Sequence, residues 1–302
     1  MDLKIPIIYM FEIVVGILGN LILIVHYFCL YIHGCRSRST DLILRNLTVA
    51  NSLVILSNGV PKTMAALGVK DFLNDFGCKL VLYIHRVARG VSIGSTCLLS
   101  VSQAITISPR NSRWAHVKQK ALKHIGLSSI HCWVLHLLVS AVFPIYTSVK
   151  RSNKITMKRN DLGYCSFPNN DNTTLALFVS LVSCHDVVCL GLMAWASCSM
   201  VSILYRHQQQ VRHIYTNNFS PRSSAERRAS QNIIFLVSTF VSFYVLSSVI
   251  GTYLSLFDHP SQWLVNMYAL LTACFPTASP FILMKSDTRV LSLCYVCSKR
   301  NA

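Results

Sequence analysis

Acidic side chains are scarce in this sequence. Its 302 residues hold 11 Asp and Glu against 28 Lys and Arg, and charged residues of both signs make up only 13%. Soluble globular domains carry about 25% charged residues, so the deficit excludes that class. With 52% hydrophobic residues and a mean hydropathy of +0.46, the composition is that of a membrane protein.

Other features are missing too. The apolar runs lack the two-residue alternation of barrel strands, which leaves a helical bundle as the architecture able to satisfy backbone amides in lipid. There is no internal repeat of roughly 20–50 residues and no low-complexity tract, so one domain is expected across 1–302. No nucleophile stands beside a base and no zinc-ligand spacing occurs. Neither an enzyme nor a cofactor or metal site is therefore expected. A formal charge of +17 points to nucleic acid only until the basic residues are placed. They scatter over short loops between apolar runs and form no face or arm, so no nucleic-acid partner is expected.

What is present is a series of long apolar runs, at 5–32, 42–67, 80–102, 122–145, 175–205, 233–257 and 263–283. At ~1.5 Å per residue each is long enough to cross the ~30 Å hydrocarbon layer. The expected fold is an all-α membrane protein, a seven-transmembrane helix bundle. Most Lys and Arg fall in the loop between the first two runs, the loop 105–123, the segment 205–228 and the tail. The positive-inside rule puts those segments in the cytoplasm, with the N-terminus extracellular and the C-terminus cytoplasmic. The basic stretch 148–172 runs against this trend, since the same topology leaves it outside. No cleavable signal peptide is apparent, and the first apolar run is expected to serve as its own insertion signal.

Two features bear on that orientation. Asn172-Thr173-Thr174 is a glycosylation acceptor before the fifth run, on the outer side, whereas the matches at Asn46 and Asn218 fall in the membrane or inside. Of twelve cysteines, only Cys78 and Cys165 lie on the oxidising outer face, where they can persist as a disulfide; two free thiols are the alternative.

Buried charge marks candidate function. Arg86 and Arg89 share a face of the third run about two turns below Cys78, and the acids within apolar runs are Glu12 and Asp186. An Arg89–Asp186 pair that fixes packing is one reading. The other is a water-accessible cavity in which an arginine meets a polar or anionic group of a small, mostly apolar ligand. Tyr83, His85, Tyr244 and Tyr253 would add rim contacts. His131 and His136 are expected to be satisfied helix contacts, while His185 beside Asp186 leaves a pH-sensitive site open. Cys294 and Cys297 in the tail suit palmitoylation or free thiols. The basic inner segments attract anionic lipid.

Gly19-Asn20, the cysteine pair and Pro280 resemble the pattern of rhodopsin-like G-protein-coupled receptors. His85-Arg86-Val87-Ala88-Arg89-Gly90, Gln103-Ala104-Ile105-Thr106-Ile107-Ser108-Pro109 and Ser112-Arg113-Trp114-Ala115 closely resemble the vomeronasal type 1 receptors. Ser140-Ala141-Val142-Phe143-Pro144, Tyr164-Cys165-Ser166 and Ser279-Pro280-Phe281-Ile282-Leu283 extend the likeness over nearly the whole chain. The resemblance implies a chemosensory receptor of the plasma membrane, binding a small pheromone-like molecule and activating an inhibitory-class heterotrimeric G protein. Gln103, Ile107, Pro109, Arg113, Arg227 and Arg228 would face that G protein. The wider superfamily's Asp-Arg-Tyr is replaced by Ser102-Gln103-Ala104, its helix-two aspartate by Asn51, and its Asn-Pro-x-x-Tyr by the run from Ser279 to Leu283. The usual activation switches therefore do not carry over. The alternative from another class is a small-solute transporter or channel, against which stands the lack of an inverted repeat or paired Gly/Pro-broken helices.

Non-reducing peptide mapping of protein taken from the cell surface should yield one cross-linked fragment containing Cys78 and Cys165. Two alkylated free thiols there would overturn the pairing.

Overall fold

A computed structural model of the chain describes residues 4–32, 39–69, 72–108, 115–146, 159–161, 166–168, 172–213, 221–256 and 261–286. Among these, each apolar run lies within a helix to within a residue at its end: α1 (Lys4–Ile32), α2 (Ser39–Ala66), α3 (Asp75–Ile107), α4 (Ala115–Tyr146), α5 (Asn172–His213), α6 (Pro221–Leu256) and α7 (Gln262–Ser286). Five helical stretches are long and apolar enough to cross a membrane: Lys4–Leu30, Asp75–Ile107, Ser183–Arg206, Gln231–Gly251 and Trp263–Lys285. The apolar part of α4, Gly126–Ala141, is shorter. In α2 the run is broken by Asn51, Asn58 and Lys62, which turn inward and lower its hydropathy.

The helices outrun the apolar stretches that mark them. Residues 205–213 continue α5, and α6 begins at Pro221, so much of the expected basic loop at 205–228 is helical. Gln and Arg are good helix formers in water, and a proline at the first helical position gives up an amide with no partner there anyway. The stretch 148–172 also departs from a plain loop. It contains a short antiparallel ladder, β1 (Arg159–Asp161) with β2 (Ser166–Pro168), in which Arg159 opposes Pro168 and Asp161 opposes Ser166.

Apolar side chains face out. On α1 the exposed residues Ile7, Phe11, Val14, Leu18, Leu21, Val25, Phe28 and Ile32 repeat every three or four positions, a stripe that suits hydrocarbon and would be a liability in water. Polar groups face in. Asn51 Nδ2 donates to Ser279 Oγ at 2.7 Å and its Oδ1 accepts from Ser92 Oγ at 2.7 Å, joining α2, α3 and α7. Pro280 has no N–H to give the carbonyl of Pro276 one turn back, and Asn20 Nδ2 supplies the donor at 3.0 Å. The approach is possible because Gly19 lies against Pro280: a methyl group there would come within 2.9 Å of its ring. In membrane bundles such bonds average about 0.6 kcal/mol and reach about 1.7, so several together outweigh any one.

At the centre stands α3, whose apolar window is 67% buried against at most 44% in the other candidate spans. It touches α2, α4, α5 and α6. Small residues let neighbours close in: Ala88, Gly90, Ser92, Gly94, Ser95 and Ser100 are all buried. Asn74 starts the helix by accepting the Gly77 amide at 2.8 Å. At Gly90 the space a side chain would take is filled by the His136 ring of α4. That imidazole in turn meets His185 of α5 edge to face, centroids 4.5 Å apart.

A methyl group at Gly90 would come within 2.2 Å of His136 Nδ1. Gly90→Ala should therefore cost about 1–3 kcal/mol of stability. In a His136→Ala background that cost should vanish, as a double-mutant cycle of thermal unfolding in detergent would register.

Candidate functional site

Near the end of the bundle that carries Cys78, the inward face of α3 presents His85, Arg86 and Arg89. Arg89 lies over the Tyr244 ring of α6, its guanidinium carbon 5.1 Å from the centroid. The Tyr244 hydroxyl donates to Asp186 Oδ2 of α5, and the other carboxylate oxygen faces His185 Nδ1 at 3.3 Å. Arg89 and Asp186 are thus held in one constellation, but not by a contact ion pair: Tyr244 stands between them, face to the cation and hydroxyl to the anion. Asp186 is 9% exposed, and both its oxygens have partners, as a buried carboxylate requires.

Arg89 also forms part of the wall of a cavity of about 40 Å³ between α2, α3, α6 and α7. Its lining is mainly apolar, with Phe240, Phe243 and Tyr244 from α6, Leu271 and Phe275 from α7 and Val54 from α2; Ser92, Ser247 and Thr272 add hydroxyls. A water molecule needs roughly 10–15 Å³ of such space, so the cavity has room for a few waters and for no organic molecule as it stands. Asp186 of α5 does not line it and acts through Tyr244.

The other expected site residues divide by position. His85 turns to α2, its Nδ1 3.3 Å from Ser57 Oγ. Arg86 shares the electrostatic surroundings of Tyr268 and Arg89. Tyr83 points to α4, where its hydroxyl donates to the Leu137 carbonyl at 3.0 Å. Tyr253 is exposed on α6. At the opposite end Gln103 is buried and Ile107 half-buried, so contact between Gln103 and a partner requires the helices to part. Asn172 opens α5, and Arg227 and Arg228 lie in the first turns of α6, but their side chains are not described. Cys78 is disulfide-bonded. Cys165, Pro109, Arg113 and the tail cysteines Cys294 and Cys297 lie outside the described residues. Of the expected helix contacts, His131 Nδ1 is 3.0 Å from the Leu127 carbonyl and His136 packs on Gly90.

Two residues that sequence reasoning left aside belong to the constellation. Lys62, a cation inside the second apolar run, is 9% exposed on α2 with its Nζ 5.6 Å from the centroid of the Tyr268 ring. Tyr268 of α7 is also an electrostatic neighbour of Arg89. The signal was present: Asn51, Asn58 and Lys62 recur at helical spacing and mark one polar inward stripe. Glu12 of α1 is an electrostatic neighbour of Lys62. Among the described residues no three His, Cys, Asp or Glu side chains are arranged to hold a metal ion.

Comparison with known proteins supplies what geometry cannot. A sequence profile of the vomeronasal organ pheromone receptor family matches residues 3–296. The human vomeronasal type-1 receptor 2 is 59% identical over 292 residues, covering 97% of this chain and 74% of the relative. The human vomeronasal type-1 receptor 4 is 53% identical over 282 residues, 93% of this chain and 94% of the relative. The mouse vomeronasal type-1 receptor 45 is 32% identical over 292 residues, 93% and 88% respectively.

Tyr244→Phe removes the hydroxyl from Asp186 while keeping the ring under Arg89. Loss of a hydrogen bond to a buried carboxylate should lower stability by about 1–3 kcal/mol. The same change should have little effect in Asp186→Ala, a non-additivity that paired thermal melts would detect.

Proposed function

The chain belongs to the vomeronasal organ pheromone receptor family, and on that premise we propose that it crosses the plasma membrane seven times as one receptor domain and couples a small external ligand to a G protein. In this reading the N-terminus is extracellular, Cys78 bonds to Cys165, and Asn172 carries the glycan. The inner ends of α3, α5 and α6, with Gln103, Ile107, Pro109, Arg113, Arg227 and Arg228, receive a heterotrimeric G protein of the inhibitory class.

The observation that carries the proposal is the cavity bounded by α2, α3, α6 and α7, with Arg89 in its wall. A ligand acts only through a difference in affinity between two states. Here the difference has a physical source. The resting cavity is too small for an organic molecule, so occupancy must push Phe240 and Tyr244 of α6 away from α3. A polar group on the ligand that takes over Arg89 releases the guanidinium from the Tyr244 ring and loosens the main tie across that gap. The shift of α6 is then transmitted along its length to Arg227 and Arg228 at the far end.

A screen of small molecules on receptor vesicles, read out as nucleotide exchange on an inhibitory-class G protein, tests this. For an active compound, Arg89→Ala and Asp186→Ala should reduce potency roughly 10- to 100-fold, as expected for a lost charge-assisted contact. Unchanged potency in both variants at normal surface expression would defeat the polar anchor. Solute flux without a G protein would replace the receptor reading with a carrier.

A further inference from the structure

Lys62 is an unusual group to find where it is. It is nine-tenths buried, lies on a helix that meets α1, α3 and α7, and has the Tyr268 ring face as its close contact. Among the described residues it has no hydrogen-bond acceptor and no contact carboxylate; Glu12 is near enough to act electrostatically without touching it. Arg89, stacked on Tyr244, is an electrostatic neighbour of the same Tyr268 phenol. His85 is close enough to Lys62, Arg86 and Arg89 to sense the charge of each. The second acid of the region, Asp186, has both oxygens engaged by Tyr244 and His185.

Position along the helices links this cationic storey to the cavity. Lys62 is eight residues, or about 12 Å, from the cavity-lining Val54 toward the Cys78 end. Tyr268 lies one turn above Thr272, which bonds its carbonyl and also lines the cavity. Lys62 therefore lies on the Cys78 side of the cavity, from which an external ligand would arrive, and Arg89 and the aromatic rings line it.

We propose that the ligand is an organic anion, its charged head seated between Lys62 and Arg89 beside Tyr268 and its apolar body running down among Phe240, Phe243 and Phe275. The inference deepens the receptor reading above and rests on it. A planar carboxylate or a sulfate-type head matches the Arg89 fork, while Lys62 supplies a compact second charge. A neutral ligand leaves the Lys62 ammonium with Glu12 nearby but no carboxylate in contact among the described residues, and a cationic one adds a like charge.

The test uses purified full-length receptor in nanodiscs of zwitterionic phosphatidylcholine alone, which removes anionic headgroups as competitors. Binding of radiolabelled decanoate, decanol and decyltrimethylammonium is measured below their micellar concentrations. Wild-type receptor should prefer decanoate to decanol by about tenfold or more and reject the cation. Lys62→Gln should weaken decanoate about tenfold or more and leave decanol unchanged, while Lys62→Arg retains most of the affinity. Decanol binding as tightly as decanoate, or decanoate indifferent to Lys62→Gln, overturns the anion site and leaves the cavity reading intact. Saturable binding of none of the three probes overturns both. The wild-type preference needs no variant, so it decides the matter even if Lys62→Gln does not fold.

Discussion

Hydrocarbon offers no hydrogen bonds, and this one constraint organises the molecule. An amide, hydroxyl or charge within the bundle is stabilised by a partner on another helix or on its own backbone and is costly without one. The solution is visible at Asn51, which uses both ends of its amide to hold Ser92 and Ser279. It is visible again where Asn20 supplies the donor that Pro280 lacks. Polar contacts of this kind have direction and fixed length, so they set helix register in a way that greasy packing alone does not. The apolar stripe of α1, turned outward from Ile7 to Ile32, is the other half of the same arrangement.

The neutral hub and the charged constellation divide the bundle into two levels. Around Asn51 the network is closed, with short bonds between uncharged groups. Nearer the Cys78 end, three basic side chains, Lys62, Arg86 and Arg89, share the interior with Glu12 and Asp186. There the contacts are looser: ring faces at 5.1 and 5.6 Å and a tyrosine interposed between opposite charges. A level held by cation–ring contacts, each worth about 0.5–2 kcal/mol, rearranges at less cost than one held by a closed hydrogen-bonded knot. The division suits a receptor in which one end yields and the core below it keeps its register.

Much of this was legible in the sequence because lipid imposes long, contiguous signals. All seven helices could be read from apolar runs, and the depth of Arg89 and Asp186 from their distance to the run ends. The extensions of α5 and α6 were not, since a helix needs no apolar surface once it leaves the bilayer. The β1–β2 ladder was hidden because three-residue strands in a polar stretch carry no periodicity. Tyr244 as the intermediary was also out of reach: sequence gives depth along a helix, not which ring fills the gap between two helices. Lys62 was passed over because the positive-inside rule sorts cations by side of the membrane and not by helix face, although its spacing from Asn51 and Asn58 already placed it on the inward stripe.

The tightness of the resting chamber has a further implication. Wetting it and opening it are separate events. Water fits the space beneath Arg89 while the rings of α6 stay put. Any larger guest has to wedge those rings apart, so under the proposed function the protein would discriminate by girth before it discriminates by chemistry.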